Sequence, residues 1–217
     1  PSLEIIARDP VLLQVTAPSL AEPQEEIGIH AAPLDQFGNW SRFPADEYVL
    51  KAFLNGTETG QSVKKTVNEG DKSVSFSYAT DEAGLYSFTV EAVSGLQGKR
   101  HVLLCQEGEP SLKLFFGDIH GHSRMSDGTG TPEDYYRYAR IVSGLDIAAL
   151  TDHSDYGTIP VKGEVWERIK NAANEANDPG HFVTFLGFEW TNWVYGHRNV
   201  YYRDGDGPVF RSIDPES

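Results

Sequence analysis

Cysteine is nearly absent. Cys105 stands alone in 217 residues, so no disulfide can form within the chain. With no activating partner near it in sequence, it reads as a small buried hydrophobe. Basic charge is scarce too, with 18 Lys and Arg against 32 Asp and Glu, a net charge of -14. The deficit runs through both halves: 14 acidic against 8 basic side chains in residues 1–105, and 18 against 10 in residues 106–217. Neither half offers a basic face for nucleic-acid phosphates or for an anionic membrane surface. No apolar run approaches the ~20 residues of a membrane span, and no secretory signal pattern opens the chain. These two features and the lone cysteine favour a cytoplasmic setting, whereas a start at Pro1 leaves export open.

What is present divides into two parts. Residues 1–107 hold short runs, several alternating apolar and polar, at 3–7, 12–16, 26–31, 48–53, 73–78, 85–90 and 100–104. Turn-forming residues separate them, such as Asn55 with Gly56 and the segment 35–39. About seven short strands in ~100 residues predict an all-β immunoglobulin-like sandwich. The sequons at Asn39 and Asn55 read as turns. Residues 106–110 form the junction to a second domain, 108–217.

In the second part, residues 117–128 carry most of the information. His120 and His122 follow the apolar run 112–116. If that run is a strand, Asp118, His120 and His122 share one face. Two imidazoles with carboxylates at Asp118 and Asp127 suit a divalent metal. Two further apolar runs end in ligand-type residues, 145–150 before Asp152 and His153, and 182–188 before Glu189. Unbroken apolar runs suit strands buried on both faces. Between the runs lie two helices. The first opens at Thr131, Pro132 and Glu133, presents Tyr135, Tyr138, Ala139 and Val142, and stops at Gly144. The second presents Trp166, Ile169 and Ala173 and stops at residues 178–180. Chemistry in such an alternation sits at the carboxyl ends of strands, where all three motifs fall.

These motifs resemble the PHP (polymerase and histidinol phosphatase) family. The resemblance rests on His120 and His122, on residues 126–128 and 132–135, on Asp152 and His153, on Glu189, and on His197 within 196–200. It implies a distorted (β/α) barrel, of which residues 108–217 would be the N-terminal portion. The remaining barrel half and its ligands would come from missing sequence or another chain, and without them the isolated chain would be inactive. It also implies up to three divalent ions, Zn, Mn or Fe. His120 and His122 would hold the first, Glu189 would bridge to a second shared with His197, and Asp127 with His153 would hold the third. Asp118 and Asp152 would orient imidazoles. Asp152 joins Arg198, a clamp for a substrate phosphate, in the catalytic set, with Arg124 a weaker candidate clamp.

The function expected is that of a metal-dependent hydrolase, a phosphoesterase (EC 3.1 class) acting on a small phosphorylated molecule through a metal-bridging hydroxide. The alternatives are an amidohydrolase-type C–N hydrolase and a non-catalytic metal-containing binding module with an adhesive β domain. His181 precedes a strand at the end away from the chemistry, His30 and His101 belong to the β domain, and residues 204–207 read as a turn rather than a calcium loop.

Overall fold

The computed structural model describes residues 6–108, 112–113, 115–155 and 160–212. The chain divides into two compact units, Pro1–Leu114 with Ile141–Gly144, and Phe115–Arg140 with Leu145–Ser217.

In the first unit, alternation becomes two sheets. One has the order β1 (Leu12–Thr16), β3 (Glu26–Leu34), β6 (Val74–Ala79), all antiparallel. The other runs β2 (Leu20–Ala21), β8 (His101–Cys105), β7 (Gly84–Ala92), β4 (Asp46–Leu54), β5 (Thr57–Val67). Alternate residues of both sheets meet in one core, including Ile29, Phe76 and Tyr78 from the first and Tyr48, Leu50 and Phe88 from the second. Each side chain of that size contributes ~1.5–3 kcal/mol on burial. The result is a β-sandwich, as expected. Of the run at 3–7, residues 1–5 lie outside the described residues, and Ile6 and Ala7 are not in a strand.

Two details of the sandwich follow from single residues. Asn55 and Gly56, both at positive φ, join β4 to β5 in the two-residue turn whose twist suits a hairpin. Tyr86, near the start of β7, accepts the Asp81 and Glu82 N–H groups at its hydroxyl (3.0 and 3.3 Å), the tyrosine corner of immunoglobulin-like sandwiches. Asp35 closes the turn after β3. The Asn39 amide and the N–H groups of Arg8, Asn39 and Phe37 bond its carboxylate, outweigh its burial and hold its pKa at about 2.

The second unit alternates β9 (Gly117–Gly121), α1 (Pro132–Ile141), β10 (Ile147–Leu150), α2 (Glu164–Ala176), β11 (Val183–Trp190) and β12 (Arg198–Tyr201). Its sheet order is β12-β11-β10-β9. β9, β10 and β11 are parallel, and β12 returns antiparallel to β11. Ala148, Ala149 and Leu150 are fully buried, which explains the unbroken apolar run. α1 opens with a reciprocal cap: Thr131 Oγ1 accepts the Asp134 N–H (3.1 Å), and Asp134 Oδ2 accepts the Thr131 N–H (3.2 Å). Its buried face falls on Tyr136 and Ala139, while Tyr138 is exposed. α2 buries Trp166, Ile169 and Ala173 as the spacing predicts. No helix among the described residues is long and apolar enough to cross a membrane.

The expected (β/α) barrel is not what the chain builds. Among the described residues there are twelve strands against two helices, and the four-stranded sheet of the second unit is open. Only residues 191–197 separate β11 from β12. A parallel crossover needs roughly a dozen residues or more, so the chain can only turn back antiparallel. The strand expected at 112–116 is also displaced: β9 begins at Gly117 and contains Asp118 and His120 themselves.

Glu133 on α1 and Arg168 on α2 form a two-pronged ion pair, both contacts at 2.9 Å. Hydrogen bonds from Arg168 lower the Glu133 pKa to about 2, below its ordinary 4.5. The folded state therefore holds this proton less tightly than the unfolded chain. The stabilisation is present above pH 4.5 and is lost as pH falls toward 2. Both side chains are more than a third exposed, so solvent screening limits the pair to ~0–1 kcal/mol. Glu133→Gln should make the acid-induced loss of unfolding free energy shallower over that window. Urea titrations at stepped pH read this directly, and a slope identical to wild type would contradict it.

Candidate metal centre

The ends of β9, β10 and β11 converge on one carboxylate oxygen. Glu189 Oε2 lies 3.4 Å from His120 Nε2, 2.9 Å from His122 Nε2 and 3.2 Å from His153 Nδ1. Ligand atoms ~2.0–2.2 Å from a tetrahedral ion stand ~3.3 Å apart, so the spacing fits. Glu189 and His153 are both buried. Their segments are fixed together beyond the sheet: the Glu189 N–H donates to Asp152 O (3.0 Å), and the Ser154 N–H donates to Glu189 O (2.8 Å). In β9, Asp118 is paired with Ala148 and Gly121 with Leu150, so β9 carries an extra residue between these pairs. Such a bulge re-aims side chains beside a site.

His122 supplies the sharpest signal. Its Nδ1 is 2.6 Å from Asp127 Oδ1, a hydrogen bond. Its Nε2 is close to Glu189 but not in hydrogen-bond geometry, so this buried nitrogen has no hydrogen-bond partner among the described residues. An unpartnered buried nitrogen is costly. A cation between it, His120 and Glu189 would remove that cost. His120, His122 and Glu189 form one group able to hold an ion, and His122, Asp127 and His153 form a second. Both groups draw on His122, and in the second Asp127 Oδ1 is bonded to His122 Nδ1 at 2.6 Å.

Burial pushes the Asp127 carboxyl up, but the His122 hydrogen bond and the fields of His122 and His153 outweigh it, so its pKa falls below the ordinary value. His153 is also lowered. Burial is the main cause, with His122 and His197 adding to it against Glu189 and Asp127. A neutral His153 is the form that can ligate a metal.

Other expected residues take different places. Asp152 is fully buried, and among the described residues its carboxylate bonds Ser123 and Ser126 and no imidazole. It accepts the Ser123 N–H (2.8 Å), the Ser123 hydroxyl (2.6 Å) and the Ser126 hydroxyl (2.6 Å), clamping the loop after His122. Gly128 closes that loop, and any Cβ there would meet His122 O at 2.1 Å. Asp118 accepts the His120 backbone N–H (3.0 Å). Arg198 stands over the Trp190 ring (5.7 Å) and donates to the carbonyls of Tyr195 and Gly196 (3.3 Å each), so it braces a turn rather than reaching into the site. His197 joins neither ligand group. Its Nδ1 accepts the Asn192 N–H (3.2 Å). His181 pairs with Asp178 (3.5 Å), His30 bonds Ser75 (2.7 Å), and Asp206 pairs with Lys170 (2.9 Å).

Two residues escaped the sequence. Thr191, fully buried, contacts His153 Nδ1 (3.0 Å) and Glu189 O (3.0 Å). Asn199 stands opposite Glu189 in the β11–β12 ladder and has a buried Oδ1 without a hydrogen-bond partner among the described residues. Its position two residues after His197 was the available signal. An open cavity of 440 Å³ adjoins the centre, lined by His120, Gly121, His122, Asp127, Gly128 and Thr129.

Residues 146–215 match the family described as "protein of unknown function (DUF3604)". No curated protein matches the sequence. Among solved structures, the chain is similar to the superoxide reductase (neelaredoxin) of Ignicoccus hospitalis, at 10% identity over 45% of this chain and 83% of that one, TM-score 0.33. It is similar to the PKD domain of an M14-like peptidase from a Thermoplasmatales archaeon, at 11% identity over 46% and 99%, TM-score 0.30. A CARDB domain from Pyrococcus furiosus, solved with di-metal ions, matches at 10% identity over 48% and 95%, TM-score 0.30. The resemblance to the PHP family is therefore overturned: the family matched, over residues 146–215, is a different one.

Proposed function

We propose that the chain carries a divalent-metal centre and serves a metal-dependent hydrolase that cleaves a phosphate ester of a small molecule. The observation that carries this reading is the buried Nε2 of His122, without a hydrogen-bond partner among the described residues and aimed with His120 at Glu189 Oε2. His120, His122 and Glu189 would hold the ion, and a set of nitrogens and one carboxylate suits Zn, Mn or Fe. When bound, such an ion supplies Lewis acidity toward a substrate oxygen and acidifies water. Asp127 holds the His122 ring with its ligating nitrogen free of a proton. The cavity beside it is within the ~300–1,000 Å³ of small-molecule sites. A cation held beside that cavity would make a phosphorylated substrate compatible with an acidic chain.

Elemental analysis and a phosphomonoester and phosphodiester panel on one purified sample test the reading. The expected result is bound transition metal, with turnover that a chelator abolishes and added metal restores. Stoichiometric metal without turnover on any ester would leave a binding centre and overturn the hydrolase reading.

A further inference from the structure

The hydrogen-bond partners around the centre assign a tautomer to each of three imidazoles. In a neutral imidazole one nitrogen carries the proton and the other keeps its lone pair, and the partner of one decides the role of both. At His122 the partner of Nδ1 is an oxygen of the Asp127 carboxylate at 2.6 Å, an acceptor, so Nδ1 carries the proton. At His153 the partner is Thr191 Oγ1. The Thr191 hydroxyl donates to the Glu189 carbonyl, which can only accept, so the same oxygen accepts from His153 Nδ1. Glu189 Oε2, 3.2 Å away, favours the same proton position. Both rings therefore present Nε2 lone pairs.

His197 is set the opposite way. Its Nδ1 accepts the backbone N–H of Asn192, a group that can only donate. The proton must then sit on Nε2. The position is built: Asn192 Oδ1 accepts the N–H groups of Val194 (2.9 Å) and Tyr195 (2.8 Å), and Arg198 braces the turn from the other side. The His197 ring packs edge-on against Trp193 and against His153, 5.0 Å from each, at the exposed rim of the centre. Ligating a metal through Nε2 would require moving the proton to Nδ1, where it would face the Asn192 N–H.

Resting on the metal-centre reading above, we propose that His197 is a hydrogen-bond donor to an anionic substrate oxygen, such as a phosphoryl oxygen, and not a metal ligand. Asn192 is the residue that positions it.

Two measurements on the full chain test this. The first is ¹⁵N NMR of the imidazoles in the metal-free protein at pH 8, with His197 assigned by its loss in His197→Gln. The second is calorimetric titration with Zn²⁺ and then with inorganic phosphate for wild type, His197→Gln and His197→Leu. The expected result is a His197 proton on Nε2, Zn²⁺ affinity within about threefold of wild type in both variants, and phosphate affinity about tenfold weaker in His197→Leu. His197→Gln, which keeps an N–H donor, should recover most of that loss. A His197 proton on Nδ1, or Zn²⁺ affinity falling tenfold or more in both variants, would overturn the donor role. Wild-type protein that takes up no Zn²⁺ would instead sink the metal reading itself, and the donor role with it.

Discussion

Glu189→Ala should weaken metal binding by a hundredfold or more. Its Oε2 is the one atom within 3.4 Å of His120, His122 and His153 together, and it supplies the only negative charge in the first ligand group. Removing a group that merely orients a ligand typically costs ~10–100-fold in affinity, so removing the shared charged ligand should cost at least the upper end of that range. Thermal melts with and without Zn²⁺ separate this from a loss of fold. A ligand that binds the native state at about 100 times its Kd adds ~2.7 kcal/mol, a readable rise in melting temperature. The variant should melt like metal-free wild type and show no rise on adding Zn²⁺. A rise equal to that of wild type would mean that Glu189 is not a ligand.

Asp152→Ala should be strongly destabilising, by about 2–6 kcal/mol, because it leaves two buried donors unsatisfied. The carboxylate is fully buried and accepts three donors, two from Ser123 and one from Ser126. Alanine leaves two of those donors on Ser123, itself fully buried, without an acceptor, at ~1–3 kcal/mol each. Ser126→Ala removes one donor and leaves the carboxylate two others, so it should cost only about 1 kcal/mol. Denaturant unfolding of the two variants gives the comparison. An Asp152→Ala variant as stable as Ser126→Ala would show that the loop after His122 is held by something else.

How much of this was legible in the sequence depends on whether a residue's role is local. Glu189 could be found because a polar residue near the end of a largely apolar strand interrupts the run, and His120 and His122 because two imidazoles stand two residues apart. The sandwich was legible where alternation marks a half-buried face. β5 was not, because it is a sheet-edge strand with a nearly all-polar, exposed sequence, Lys64 and Lys65 included, and only Val67 is buried. The buried face of α1 was legible at Ala139 and Val142 but not at Tyr136, which is buried in place of Tyr138 for its hydroxyl as well as its ring: it accepts the Leu150 N–H (3.1 Å). The barrel failed for a geometric reason, since composition does not reveal whether seven residues turn back or cross over. Which atoms of Asp127 and His197 are engaged was not legible, because residue type does not say which nitrogen or oxygen a neighbour has taken. Those neighbours, His122 Nδ1 and the Asn192 N–H, are matters of tertiary placement.

The strand that carries His120, and that leads into His122, lies at an edge of its sheet. Among the described residues β9 pairs with β10 alone, and all five of its residues are at least partly exposed. Glu189 belongs to β11, two strands further in. An ion held between them would act as a rivet through the sheet, joining an edge strand to its interior across β10. Local opening of β9 would then require release of the ion, so slow amide exchange along that strand and occupancy of the centre become one equilibrium seen from two sides.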